Sequence, residues 1–513
     1  MSKKYFYIAV VTTLVGGAIA TFSWLEVPLE QQVPLTTQSK IVELKDGDTY
    51  NLVASPVKKE IEGKTYTMLA YNGMIPGPTI KVAQGAEVTI NFKNETDLPA
   101  LLHSHGVRMS NAFDGSQTVQ KEMKPGESFS YKLKFPDAGV YWYHPHVAEV
   151  YGQGLGLYGA FIVEPKDPAY FPQINREEVL FLSDLPVKDG MIALNKGKPS
   201  HSLMGHFGNV MLINGQDDYT LEAKKGEVVR LYVINAANTR TFNFAIKGVQ
   251  LKLVGGDAGA YEKATWQDSV LLAPSERAII DVMFTEPTTI VNDTPEGETA
   301  LGSVSIVAGV PDTSHASQFD QLQSNVATIS SIDPLRGHFN KNPDKKIALT
   351  IDMMGGSMMS GGHTMMDGTT AGRTMSMGSP KGGIEWEDTN RMMNAMSNPS
   401  MVKWHIVDQD TGKQDMDIDW TFNKGEPIQI RIFNDPKAAH PMQHPIHFHG
   451  QRFLVVSRDG IPQTNPVWKD TVLVKTGETV DIILDTSNPG TWMAHCHISE
   501  HLEAGMMMKF EVK

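Results

Sequence analysis

The sequence contains a single cysteine, Cys496, in 513 residues. An intramolecular disulfide is therefore excluded, and cysteine pairing gives no reading of the redox compartment. An excess of positive charge is also missing: 45 basic residues stand against 58 acidic ones, a formal net charge of −13. Nucleic-acid binding needs a concentrated basic face, so this balance argues against it. Long apolar runs are absent after residue 24, so no later segment can cross a bilayer as a helix. Helical periodicity is scarce throughout.

The start of the chain is the apolar exception. Lys3-Lys4 precedes a mostly apolar run from Tyr5 to Trp24, with Ala18-Ile-Ala20 as a cleavage motif. Residues 1–24 read as a signal peptide or, uncleaved, as an N-terminal membrane anchor. Either reading implies export, to the periplasm or beyond the cell.

The remaining length suits about three domains, and internal repeats support that division. Gly85 and Asn94, Gly226 and Asn235, and Gly425 and Asn434 each lie nine residues apart around an alternating strand such as Val88, Ile90, Phe92. A second alternating strand follows Pro125-Gly126-Glu127, Pro274-Ser275-Glu276 and Thr476-Gly477-Glu478. Short strands between turn residues predict an all-β fold of Greek-key β-sandwiches. The expected units are 40–168, 175–312 and 345–513, with 313–344 as a linker.

Histidines follow the same repeat. The first unit has His103-Ser-His105-Gly106 and later His144-Pro-His146; the third has His447-Phe-His449-Gly450 and later His495-Cys-His497. On a strand, residues two apart share a face, so each pair presents two imidazoles together. Eight such rings from two facing domains can cage several metal ions. The second unit has Phe242-Asn243-Phe244 near the equivalent place and reads as a spacer. In the third unit Cys496 replaces Pro145 and points away from its neighbours His495 and His497. With His444, His501 and Met506 it offers two imidazoles, a thiolate and a thioether, the soft set of a blue-copper centre. Consecutive residues would then join two metal sites. Seven other histidines share no spacing and read as ordinary. The nearest to exceptions are His363, in a methionine-rich stretch, and His440, four residues before His444.

These four pairs and the cysteine resemble the signature of the three-domain multicopper oxidases, a family that includes laccases and bacterial cuprous oxidases. The resemblance runs from about residue 40 to the C-terminus. It implies three cupredoxin domains and four copper ions. By analogy His103 and His447 bind type 2 copper, while His105, His144 and His497 hold one type 3 copper and His146, His449 and His495 the other. His444, Cys496 and His501 would bind type 1 copper, with Met506 axial and a moderate potential expected. The implied reaction is one-electron oxidation of a donor, coupled to reduction of O2 to water. Cys496, His495 and His497 would carry the electrons, and Asp114 resembles an acid near the cluster.

Two departures stand out. Leu502 occupies a place where many bacterial relatives have an acid, which leaves the proton route open. Ser104 stands where tryptophan is common, so a packing change is expected there. Twin arginines are absent, which favours general secretion with copper loaded after export. A monomer is expected.

The donor is the remaining question. Residues 353–401 hold 12 of the chain's 27 methionines among Gly and Ser, with Met358, Met359, Met365 and Met366 densest. Thioethers select Cu(I), and the stretch resembles the insert of cuprous oxidases, so these four are candidate ligands for substrate copper, with Met442 a further one. Cu(I) oxidation for copper tolerance is the favoured expectation. Oxidation of small phenols, the loop being only a lid, is the alternative. Copper sequestration without turnover is the third reading, weakened because the full ligand set is present.

Overall fold

The computed structural model describes residues 6–10, 23–27, 33–353 and 380–513. Phe6–Val10 and Ser23–Val27 pair as an antiparallel ribbon; the rest of the 1–24 segment lies outside the described residues, as do Met358, Met359, Met365 and Met366. Among the described residues no helix is long and apolar enough to cross a membrane.

The β-sandwich expectation holds. Three pairs of sheets follow one another along the chain, and one sheet of each pair is five-stranded. In the first, Thr79–Ala83 runs parallel to Gly159–Glu164, which pairs antiparallel with Gly139–Pro145, and that strand with Leu102–His105. In the third, the same positions are filled by Asp419–Phe422, Met507–Val512, Gly490–Cys496 and His444–Phe448. In the second they are Thr220–Lys224, Gly297–Val307, Thr288–Thr294 and Phe242–Ile246. The strands bearing the histidine pairs are therefore adjacent partners within one sheet.

The repeated asparagines have a shared structural task. Each amide Nδ2 donates to two carbonyls that frame the next strand: Leu98 and Met123 for Asn94, Arg240 and Leu272 for Asn235, Met442 and Val474 for Asn434. Each asparagine also accepts, at its own carbonyl, from the middle residue of the second turn, Gly126, Ser275 or Gly477. The turn's glutamate then closes on a backbone N–H through Glu127, Glu276 and Glu478. The middle residue takes a left-handed φ of 88°, 75° and 81° respectively, the region where glycine is least strained. A buried carbonyl left without its donor costs about 1–3 kcal/mol, which accounts for the fixed spacing.

The sandwiches are packed against one another. Trp142 and Ile162 of the first share a core with Phe181, Ile234 and Ile279 of the second. Leu454, Trp468 and Ile483 of the third pack into the core of the first. Two short helices follow the histidine strands at equivalent places, Glu149–Gly154 and Ser499–Glu503. Asn238 of the second sandwich bonds to both regions, donating to Val150 O and accepting from Ser499 N.

Candidate metal centre

Strand register places the histidines. His103 lies directly across from His144, and His447 directly across from His495. The two histidine sheets face each other, so rings interleave across the boundary: His103 stacks on His449 at 4.1 Å and His105 on His447 at 3.7 Å between centroids. His146 and His495 are 5.1 Å apart, His144 and His497 5.0 Å. Exchanging the two domains exchanges the members of each comparison, so the cage has a pseudo-twofold axis.

Backbone carbonyls and carboxylates can only accept, which fixes most tautomers. Nδ1–H donates to Asp114 O from His103, to Pro145 O from His144, to Asp470 O from His447 and to Cys496 O from His495. His449 Nδ1 donates to the Asp114 carboxylate at 3.0 Å, and His105 Nε2 to Asp470 Oδ1 at 2.9 Å. The inward nitrogens of His103, His105, His144 and His447 are buried without a hydrogen-bond partner, as are both nitrogens of His497. The inward Nε2 atoms of His146 and His449 approach that of His495 at 3.4 and 3.0 Å. Burial and neighbouring imidazoles hold the rings well below their ordinary pKa, to about 3 for His146 and His449. Neutral imidazoles with converging lone pairs are what copper requires. Buried polar nitrogens without a partner are otherwise costly. The residues fit a multinuclear copper site.

The second centre lies beyond the strand end. Cys496 Sγ is 3.6 Å from His444 Nδ1 and 3.8 Å from His501 Nδ1, and those two nitrogens are 3.3 Å apart. Met506 is fully buried beside them in the same core and accepts from Cys496 N through its carbonyl. Burial pushes the Cys496 thiol far up, so a metal must displace its proton. Trp404 stacks on His501 at 4.2 Å and meets His444 edge-on at 4.7 Å. These residues fit a single copper.

Asp114 is buried and joins both halves, its carbonyl bonded to His103 and its carboxylate to His449. Asp470 repeats the arrangement from the other side, with its carbonyl to His447 and its carboxylate to His105. The sequence reading missed Asp470, although Trp468-Lys-Asp470-Thr-Val-Leu repeats Trp266-Gln-Asp268-Ser-Val-Leu of the second unit. It also missed Glu149, whose Oε1 is 4.0 Å from Nδ1 of both His144 and His497. Burial pushes this carboxyl up to about 8, and its Oε2 has no partner. A signal was available: Glu149 follows His146 by three residues, as Glu500 follows His497. Glu500 is instead bonded by His206 Nδ1 at 2.5 Å and Thr239 Oγ1 at 3.0 Å, and is lowered by that imidazole despite burial. Glu503 is raised to about 7 by burial and by Glu500. Ser104 is fully buried and pairs with Tyr143 across the strands.

The last part of the methionine-rich stretch packs against the core that holds Cys496. Asn394 and Ser397 of and beside helix Arg391–Met396 receive the N–H groups of Met204 and Leu203, and Trp404 Nε1 donates to Ser202 O. Met393 packs into the core that holds Cys496, whereas Met392 and Met396 are 76 % and 66 % exposed. His440 lies beneath the surface near Trp404, 6.5 Å between rings, with neither ring nitrogen hydrogen-bonded. Met442 is fully buried in the core.

Comparison with known proteins agrees with this geometry. Multicopper oxidase family models match residues 54–168, 179–289 and 386–513, together more than half of the chain. The multicopper oxidase MmcO of Mycobacterium tuberculosis is 26% identical, covering 90% of this chain and 86% of its own. The structure is similar to a multicopper oxidase from Pseudomonas thermotolerans, with a TM-score of 0.66 and 25% identity over 92% of this chain and 100% of that one. A Campylobacter jejuni multicopper oxidase described as a metallo-oxidase shares the fold, with a TM-score of 0.69 and 24% identity over 93% and 96% of the two chains.

Proposed function

The chain belongs to the multicopper oxidases, and from that premise we propose that it is an exported enzyme oxidising Cu(I), with O2 as acceptor. The ligand set proposed is that of the family pattern. His103 and His447 hold type 2 copper. His105, His144 and His497 hold one type 3 copper, and His146, His449 and His495 the other. His444, Cys496, His501 and axial Met506 hold type 1 copper. Bound there, copper supplies one-electron transfer at the Cys496 centre and four-electron reduction of O2 to water at the cage.

The protein does the rest. Cys496 is covalently continuous with His495 and His497, and the His495 Nδ1–H bond to Cys496 O gives a second link at 2.8 Å. Electrons taken at the sulfur thus have a short route inward. Four protons must accompany four electrons, and Leu502 offers none. Glu149 holds its proton at neutral pH beside His144 and His497, so it is the proposed donor on that side. Asp114 serves the opposite side, against His103 and His449. Both carboxyls are buried.

One observation carries the choice of Cu(I) as substrate. His440 is a buried imidazole with two unpartnered nitrogens, its ring 6.5 Å from that of Trp404, which in turn meets the ring of His444 edge-on at 4.7 Å. Burial holds it neutral, down to about 4, the form that binds a metal ion. Exposed Met392 and Met396, in the methionine-rich stretch, add soft donors of the kind that suit Cu(I). Met358, Met359, Met365 and Met366 extend the same donor set in sequence. Export to the periplasm or beyond the cell is supported by the Lys3-Lys4 leader and its apolar run, and copper tolerance by a monomer is part of the same proposal.

Oxygen uptake by copper-loaded protein, given Cu(I) or a small phenol, tests this. His440→Ala and deletion of 354–379, which spares the docked helix, should each reduce Cu(I) turnover while phenol turnover persists or rises. Unchanged Cu(I) turnover in both would sink the proposal and favour a phenol-oxidising laccase. No uptake with either donor in the intact protein would favour sequestration.

A further inference from the structure

The second sandwich gives no histidine to the cage, yet it gives Arg277. This side chain is fully buried at the start of strand Arg277–Phe284. Its Nη1 and Nη2 donate to the two carboxylate oxygens of Asp470 at 2.6 and 2.5 Å. Nε donates to Val140 O at 3.0 Å, and Nη1 also to Ser275 O at 3.0 Å. One guanidinium therefore ties together all three sandwiches.

Asp470 hands this restraint to the cage. Its Oδ1 accepts from His105 Nε2 at 2.9 Å and from Thr471 Oγ1 at 2.9 Å. With Nε2 engaged, the lone pair of His105 is on Nδ1, which is buried and unpartnered. The rings of His103, His144, His447, His449 and His495 are held the other way, with Nδ1 engaged and Nε2 inward. His105 is therefore the odd ring, and the carboxylate decides its orientation. Space here is tight: a Cβ on Gly106 would lie 2.2 Å from Asp470 Oδ2 and 3.0 Å from Arg277 Nη2. The pseudo-equivalent Asp114 meets only histidines, and among the described residues no lysine or arginine pairs with it.

We propose that Arg277 is a positioning residue for the trinuclear site: by clamping Asp470 it commits His105 to bind through Nδ1, so the copper-free domain sets the geometry at one copper of the type 3 pair. A bidentate fork fixes the carboxylate plane as a point charge cannot, and such outer partners orient metal-binding imidazoles. This inference rests on the ligand set proposed above.

The test compares wild type with Arg277→Gln, Arg277→Lys and Asp470→Asn. Copper affinity and copper per chain, blue absorption and electron paramagnetic resonance are recorded, with thermal unfolding of the copper-free proteins alongside. Arg277→Gln should keep the blue absorption of the Cys496 centre, bind cage copper about 10–100-fold more weakly and show additional resonance-visible copper from an uncoupled pair. Arg277→Lys should recover part of the loss, because charge returns without the fork. Asp470→Asn keeps an acceptor for His105 but loses the clamp, and should resemble Arg277→Gln. Wild-type copper affinity and spectra in Arg277→Gln and Asp470→Asn, whatever their unfolding temperatures, would overturn the proposal. Should Arg277→Gln fail to fold, wild-type spectra in the other two variants would overturn it equally. A wild type with a blue centre but no cage copper would instead overturn the ligand set, and this inference with it.

Discussion

Glu149 and Glu500 occupy the same place in the repeat, three residues after the second histidine of a pair, and each lies in the first turn of a short helix. Glu500 is met by His206 and Thr239 from the second sandwich and sits below its ordinary pKa. Glu149 has one bond of 3.3 Å from Ser499 and is pushed up to about 8. Equivalent carboxyls thus differ in proton affinity because the second sandwich gives a hydrogen-bonded imidazole to only one of them. Desolvation favours the neutral acid wherever no cation opposes it. A pseudo-symmetric pair of domains becomes directional through its neighbour, just as Arg277 of the second sandwich pairs with Asp470 and not with its counterpart Asp114.

The sharpest break of this near-symmetry is at Cys496, opposite Pro145 in the repeat. Cys496→Ser should abolish blue absorption and reduce oxygen uptake to background while cage copper remains, as elemental analysis would show. Pro145→Cys should create no second blue centre, because Ala100 stands three residues before His103 where the third domain has His444. Next in size is Glu149→Gln, expected to lower turnover by about 10²–10⁴-fold with copper content and blue absorption kept. Glu500→Gln should lower it less, and equal losses would show that the repeat position matters more than the surroundings. Asp114→Ala removes the acceptor for His449 and should weaken cage copper about 10–100-fold in a chelator competition. Asp114→Asn keeps an acceptor and should keep the copper while slowing turnover. The smallest effects are expected at the repeated asparagines: Asn94→Ala and Asn235→Ala should each cost about 1–3 kcal/mol in denaturant unfolding. A single transition shifted in both variants would show that the sandwiches unfold cooperatively, and a transition that splits would show that they unfold separately.

Much of the architecture was legible because it is periodic. Alternation along Val88, Ile90 and Phe92 marks a strand with one buried face, and all three are buried. The glycine-to-asparagine spacing marks the sandwich, since the asparagine has to reach two fixed carbonyls. The histidine pairs were readable for the same reason: two residues apart on a strand is one face, whatever surrounds it. Along 495–497 that alternation does send the two imidazoles into the cage and the thiol toward His444. It could not be extended to Glu500 and Glu503, because the chain turns helical at Ser499–Glu503 and a period of two no longer applies. The roles of Arg277 and Asp470 were not legible in sequence for a different reason. Each acts through contacts between segments far apart in the chain, 365 residues apart for His105 and Asp470, and no local spacing encodes such a meeting.

Sequence by itself determined which donors exist, and for the eight histidines of the matched repeat pairs and Cys496 between two of them, which face of the strand each one takes. Those follow from the geometry of a single extended chain. Tertiary structure alone decided how the two histidine sheets meet, which nitrogen of His105 points inward, which of two equivalent glutamates keeps its proton, and that a domain without metal ligands holds the clamp. Packing sets these, because the energy of a buried charge or lone pair depends on what lies within a few ångströms, and only the folded chain brings those neighbours together.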